Sequence, residues 1–118
     1  ELRVVMIDSQ PYAYKIDSQK LRSAEVDWRK GVHLLEYSPA NLPAAVVAQL
    51  QIFMTRMEFF SGSVDLIVDR QGTYWFLECN QDGAWGWLDD LSEGAITQAF
   101  VQAFRRRLLS KASQAVPA

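Results

Sequence analysis

Residues 61–87 read Ser-Gly-Ser-Val-Asp-Leu-Ile-Val-Asp-Arg-Gln-Gly-Thr-Tyr-Trp-Phe-Leu-Glu-Cys-Asn-Gln-Asp-Gly-Ala-Trp-Gly-Trp, and this stretch decides the fold. Two runs rich in β-branched and aromatic residues flank Asp69-Arg70-Gln71-Gly72, which has the turn chemistry of a hairpin. A turn centred between Gln71 and Gly72 sets Asp65 directly across from Glu78. Side chains alternate between the faces of a strand, so Val64, Leu66, Val68, Trp75, Leu77 and Cys79 are expected to share one apolar face toward the core. The other face carries Asp65, Glu78 and Asn80, with Ile67 and Phe76 among them.

Like charges placed opposite each other on a sheet repel. Water can screen such a pair, or a cation can neutralise it. Two carboxylates and an amide oxygen suit a hard divalent ion such as magnesium, which keeps several waters and binds substrate phosphate as well. An amphipathic hairpin with a hydrated acidic face fits the same residues. The hairpin alone leaves both readings open.

An acid on one strand followed by Glu-x-Asn on the next resembles the metal-binding signature of the ATP-grasp ligases, with Asp65, Glu78 and Asn80 in those places. Gly62-Ser63-Val64-Asp65, Phe76-Leu77-Glu78-Cys79-Asn80 and Gly83-Ala84-Trp85-Gly86-Trp87 resemble the branch that makes microviridin-type peptides. Lys15-Ile16-Asp17-Ser18-Gln19 and Asp27-Trp28-Arg29 agree with that branch. The resemblance implies an ATP-dependent ligase working through an acyl phosphate, with magnesium held by Asp65, Glu78 and Asn80. Its implied substrate is a ribosomally made precursor peptide, whose Asp or Glu side chains are joined to Thr, Ser or Lys side chains.

The resemblance spans nearly all of residues 1–118 but only the carboxy-terminal part of such an enzyme. The amino-terminal domain and the subdomain supplying the lysine and hinge contacts to ATP are expected upstream, and the isolated piece is expected to be inactive. In the related ligases that add glutamate to a ribosomal protein, an Asp-aromatic-Arg phrase resembles Asp27-Trp28-Arg29. That likeness implies that Arg29 contacts the transferred phosphoryl group or the acyl phosphate. Ile67 and Phe76 are the candidates for adenine contact on the metal face.

The bulk of the chain sets wide limits. Its 118 residues form one domain by length. A hydrophobic fraction of 49% and a charged fraction of 22% are ordinary for a globular protein. The net charge of −2 gives no general electrostatic case for nucleic acid or a membrane surface. No apolar run reaches the ~18 residues of a membrane span, and no signal-peptide pattern opens the chain, so a cytoplasmic protein is the default expectation. The single cysteine, Cys79, excludes an internal disulfide and reads as a small core hydrophobe. Nothing in the sequence sets the oligomeric state.

Leu2 to Ile7 and Tyr12 to Ile16 form a first hairpin, with Tyr12, Tyr14 and Ile16 on one face and Ala13 and Lys15 on the other. Arg3 could reach phosphate from the polar face, or stand as an ordinary surface arginine. Asp17 to Lys30 has no sustained period and reads as a long loop of functional type. Val32 to Tyr37 is expected as a strand; His33, the lone histidine, has no partner spacing and receives no role. A helix follows, with Asn41 as N-cap, Pro43 in the first turn, and Val46, Leu50, Phe53, Met54 and Met57 toward the core.

Gly62 is expected to ease the turn into the central hairpin, and Gly83 and Gly86 to permit close backbone approach. Trp85 and Trp87 are candidates for the wall of a peptide groove, or for a plug of the open core edge. Asp89, Asp90 and Glu93 read as surface or capping acids. A last helix from Ser92 or Glu93 repeats Ile96, Phe100, Phe104 and Leu108, with Arg105-Arg106-Arg107 in its final turns, where cations complement the macrodipole. The expected fold is α+β: a mainly antiparallel sheet with two helices on one face and a reaction floor on the other. Two other classes fit the residues, a small-substrate carboxylate–amine ligase of the same superfamily and a non-catalytic binding module.

Overall fold

The structure is a computed structural model that describes residues 1–17, 36–83 and 85–114. Arg29, His33 and most of the expected long loop lie outside the described residues. The elements run β1 (Leu2–Ile7), β2 (Gln10–Asp17), β3 (Glu36–Pro39), α1 (Ala44–Arg56), β4 (Ser61–Val68), β5 (Tyr74–Asn80), α2 (Gly86–Leu91) and α3 (Ala95–Gln114). They fall into two compact units, Glu1–Ala84 and Trp85–Ala118.

The first unit is a five-stranded antiparallel sheet in the order β3-β2-β1-β4-β5. Its first hairpin turns on Asp8 and Ser9, both at positive φ (48° and 68°). That pair of angles suits a two-residue turn whose twist matches the flanking strands. Alternation along β1 sends Leu2, Val4 and Met6 to one face and Arg3, Val5 and Ile7 to the other. Leu2, Val4 and Met6 form the core with Val64 and Leu66 of β4 and Leu50 and Met54 of α1. Tyr12, Tyr14 and Ile16 share one face, that of Arg3, as expected for the three together, while Ala13 packs against the core.

Helix α1 begins after Pro43, which occupies the N-cap without a side-chain bond; Asn41 does not cap it. The Gln51 side-chain amide donates to the Ser9 carbonyl at 2.8 Å and ties α1 to the first hairpin turn. Met57 falls outside the core stripe and is 50% exposed, because the helix has ended at Arg56. Gly62 is not in the connecting turn but inside β4, where a Cβ would stand 2.9 Å from the Cys79 sulfur. Its role is close approach between strands.

The central hairpin forms at the expected place, with one irregularity. Ser63 opposes Asn80, Val64 opposes Cys79, and Asp65 opposes Glu78. Beyond a break between Asp65 and Leu66, Leu66 opposes Phe76, Ile67 opposes Trp75 and Val68 opposes Tyr74. Leu77 is the extra residue of a β-bulge, and a bulge re-aims every side chain beyond it. Phe76 therefore joins the core side, its ring 5.2 Å from that of Phe53 in α1. Leu50, Phe53, Leu66, Tyr74 and Phe76 share the lining of a cavity of about 200 Å³ there. Trp75 turns to the Asp65 face, and Leu77 is 53% exposed. The expected faces of Phe76, Trp75 and Leu77 are corrected accordingly; those of Val64, Leu66 and Cys79 hold.

In the second unit, Asp89 caps α3. Its carboxylate accepts the Thr97 N–H at 2.8 Å and the Thr97 hydroxyl at 2.6 Å. The Thr97 hydroxyl, then its amide, holds the Asp89 carboxyl below the usual range. The helix starts at Ala95, later than expected, because α2 and the turn at Glu93 and Gly94, both at positive φ, precede it. Ile96, Ala99 and Ala103 are buried, whereas Phe104 and Leu108 are exposed, so the expected four-residue repeat does not mark the buried stripe. Helix α3 continues to Gln114, which places Arg105, Arg106 and Arg107 mid-helix, with Lys111 as the cation of the last turn.

Candidate functional site

The Asp65 face of the sheet carries a cross-strand row. Tyr14 of β2 opposes Arg3 of β1, Arg3 opposes Asp65 of β4, and Asp65 opposes Glu78 of β5. Opposed residues share a face, so the two carboxylates and the guanidinium stand together. Arg3 Nε donates to Asp65 Oδ1 at 2.5 Å, and Nη2 reaches Oδ2 at 3.4 Å. Both side chains are about a quarter exposed (24% and 23%), which shields the pair from full solvent screening. Arg3 thus answers part of the like-charge repulsion at Asp65–Glu78.

The neighbouring row on this face is Val5, Ser63 and Asn80. The Asn80 side-chain oxygen accepts the Asp82 N–H at 3.0 Å, and the Asn80 carbonyl accepts the Gly83 N–H at 3.2 Å. The turn folds back so closely that a Cβ on Gly83 would stand 2.6 Å from Ser63 Cβ. Ser63 is 4% exposed, and its hydroxyl oxygen has no hydrogen-bond partner among the described residues.

On the hairpin-tip side, Ile67 and Trp75 form the apolar end of the same face. The Trp75 indole N–H donates to Asp69 Oδ2 at 3.0 Å, while Asp69 Oδ1 accepts from the amides of Gln71 and Thr73 at 2.9 Å each. The Trp75 bond, then that of Thr73, lowers the Asp69 carboxyl below its ordinary value. Tyr37 of β3 opposes Ile16 and so belongs to this face too. Burial raises its phenol above the ordinary value, against the opposing pull of the Arg3 charge; Glu1 and Asp65 add to the rise. Cys79, on the other face, is a free thiol raised by burial and then by the Asp65 charge.

Of the residues singled out in the sequence, Asp65, Glu78, Asn80, Arg3 and Ile67 come together on one face. Phe76 does not. Trp85 belongs to the second unit, where its ring stacks on Phe100 at 5.1 Å. Trp87 falls in α2, with its side chain outside the described residues, as is Arg29. The sequence gives no functional role to Tyr37, Trp75 or Ser63. Trp75 was hidden by the bulge, and Tyr37 by its place at the end of an expected strand. Of the two glycines expected to permit close approach, Gly83 does so against Ser63, and Gly86 has open space around it.

The donor set fits a hard divalent cation: two opposed carboxylates and an amide oxygen already held in place, beside an unpartnered buried hydroxyl. No cluster of three or more His, Cys, Asp or Glu side chains able to hold a metal occurs among the described residues.

Comparison with solved structures places this architecture. A RiPP-associated ATP-grasp ligase of Chryseobacterium gregarium, in complex with ADP and a leader and core peptide, matches at a TM-score of 0.74 and 31% identity. The fold is that of the ATP-grasp ligases. The match covers 84% of this chain and 31% of that ligase. The macrocyclase MdnC of Microcystis aeruginosa, bound with its precursor peptide MdnA, matches at 0.68 and 31% identity over 86% of this chain and 31% of its own. The ATP-grasp ligase PsnB, complexed with a precursor variant, magnesium and ADP, shares the fold at 0.62 and 16% identity over 87% of this chain and 32% of its own. The chain therefore spans about a third of the length of these ATP-grasp enzymes. Comparisons with family models and with curated proteins find no match.

Proposed function

We propose that residues 1–118 are the carboxy-terminal portion of an ATP-grasp ligase that modifies a ribosomally made precursor peptide. The observation that carries this reading is the Asp65–Glu78 pair with Asn80 beside it, on a sheet with the fold of peptide-modifying ligases. In the proposed reaction a substrate carboxylate oxygen attacks the γ-phosphorus of ATP, giving an acyl phosphate and ADP. A hydroxyl or amine then attacks the acyl carbon, the C–O bond to phosphate breaks, and an ester or amide forms. Asp65, Glu78 and Asn80 would hold magnesium, whose charge offsets that of the nucleotide phosphates.

The remaining roles belong to this chain's own side chains. Arg3 is proposed to exchange its bond to Asp65 for one to a phosphoryl oxygen, a charge-assisted contact of similar strength. Arg29 is proposed to contact the acyl phosphate. Trp75 with Ile67 is proposed for the adenine contact, since Phe76 lies on the other face of the sheet. The precursor peptide is the proposed partner, with Trp85 and Trp87 proposed toward it. The two domains that complete ATP binding are proposed to lie upstream of Glu1. No described helix is long and apolar enough to cross a membrane.

The test is ATP turnover by these residues joined to the proposed upstream domains, with precursor peptides and with free amino acids as acceptors. Turnover with peptides only supports the reading, and turnover with amino acids only replaces it with a small-substrate ligase. A second reading draws on the Arg3–Asp65 ion pair, which already neutralises one carboxylate without any metal. It makes the domain a non-catalytic binding module. Magnesium titration with an ATP analogue, followed at the amides of Asp65, Glu78 and Asn80, separates the two: selective shifts support the ligase, and their absence supports the module.

A further inference from the structure

We propose that Gly83 is a positioning residue for the candidate cation site, acting through its contact with Ser63 to fix which atom of the Asn80 amide is presented. The inference rests on the proposed role of Asp65, Glu78 and Asn80. A carboxamide has an oxygen end and an NH2 end, and only the oxygen can ligate a hard cation. The Asp82 backbone N–H, 3.0 Å from Asn80 Oδ1, can be accepted only by oxygen. That bond selects the amide orientation and uses one of the oxygen's two lone-pair positions, leaving the other for a cation.

The bond exists because the turn after β5 lies flat on Ser63. A Cβ on Gly83 would stand 2.6 Å from Ser63 Cβ, 2.7 Å from Ser63 Oγ and 3.2 Å from the Asn80 carbonyl oxygen. Ser63 cannot move aside, since it is buried and its strand is paired on both edges, with Val5 of β1 and Asn80 of β5. An added methyl must lift the turn instead. The Gly83 N–H bond to the Asn80 carbonyl and the Asp82 N–H bond to the Asn80 side chain would then be lost together. Gly86, by contrast, has nothing within 4 Å of its would-be Cβ and takes no part.

The test is Mn2+ binding by these residues joined to the proposed upstream domains, in the presence of ADP, read by electron paramagnetic resonance, with hydrogen exchange at the Asp82 amide as a second readout. Gly83→Ala is expected to weaken Mn2+ by about tenfold or more, as loss of a residue that orients a ligand does, and to speed exchange at Asp82. Gly86→Ala should leave both unchanged. Adding Ser63→Gly to Gly83→Ala makes room for the methyl and should restore both readouts, whereas adding Ser63→Ala, which keeps the Cβ, should not. This rescue pattern distinguishes positioning from general loss of structure. The proposal is overturned if Gly83→Ala binds Mn2+ normally while Asp65→Asn and Glu78→Gln do not, or if Ser63→Ala rescues as well as Ser63→Gly. If Asp65→Asn and Glu78→Gln also bind normally, the cation site itself is absent and the inference falls with it.

Discussion

Arg3 and Asp65 sit at the balance point of the site. Asp65 faces Glu78 on one side and the Arg3 guanidinium on the other, so its charge is repelled across β5 and attracted across β1. Removing Arg3 leaves the partly buried Asp65 carboxylate facing the exposed Glu78 without that counter-charge. Arg3→Met should therefore destabilise the metal-free chain by about 1–2 kcal/mol, the scale of a partly screened charge-assisted bond. Urea denaturation with and without Mg2+ checks this; the cation is expected to restore part of the loss in Arg3→Met more than in the parent. Tyr37 supplies a pH signature at the same scale. Its phenol is raised by burial, so above its ordinary value of 10.0 the folded chain holds a proton that the unfolded chain releases. Stability then falls as pH rises from that value through the folded one. Tyr37→Phe should flatten this alkaline loss in thermal melts above pH 10. Cys79, the single cysteine and also raised by burial, should react more slowly with a thiol reagent at pH 8 than a free peptide thiol does.

The bulge is the decisive feature among the elements. One extra residue, Leu77, reverses the faces of Trp75 and Phe76 while leaving Asp65 opposite Glu78. Phe76→Ala should cost about 1–2 kcal/mol of stability, less than a fully buried phenylalanine because the ring is half exposed. It should leave nucleotide affinity unchanged. Trp75→Ala should lower ADP affinity and, through the lost indole bond to Asp69, also loosen the turn, and paired denaturation and ADP-binding curves read both. At the tip, the lowered Asp69 carboxyl stabilises the turn above its ordinary value of 3.8, and that contribution is lost as pH falls through the lower folded value. Amide exchange at Thr73 should accelerate over that window.

The hairpin, its turn and the Asp65–Glu78 pairing were legible because strand period and turn chemistry act over a few residues. The bulge was not, because Trp-Phe-Leu is apolar throughout and no polar residue marks the slip. The buried stripe of α3 was missed for a related reason. Large aromatics at every fourth position look like core, but Phe100 stacks between Trp85 and Phe104 while small alanines take the buried positions.

At the scale of the whole molecule, the chain spans about a third of the ligases whose fold it shares, with coverage of 31% for the Chryseobacterium enzyme. The proposed mechanism needs a nucleotide held from two sides. Residues 1–118 alone are therefore expected to form no ATP-dependent product, and product from this piece in a coupled phosphate assay would refute the division of labour. The central claim concerns a cation between two strands. It is tested most directly by crystallising these residues joined to the proposed upstream domains with ADP and Mn2+ and locating the metal by anomalous scattering. The account predicts a peak within about 2.5 Å of oxygens from Asp65, Glu78 and Asn80. A peak elsewhere, or ADP bound with Arg3 still closed on Asp65 and no metal beside it, would contradict it.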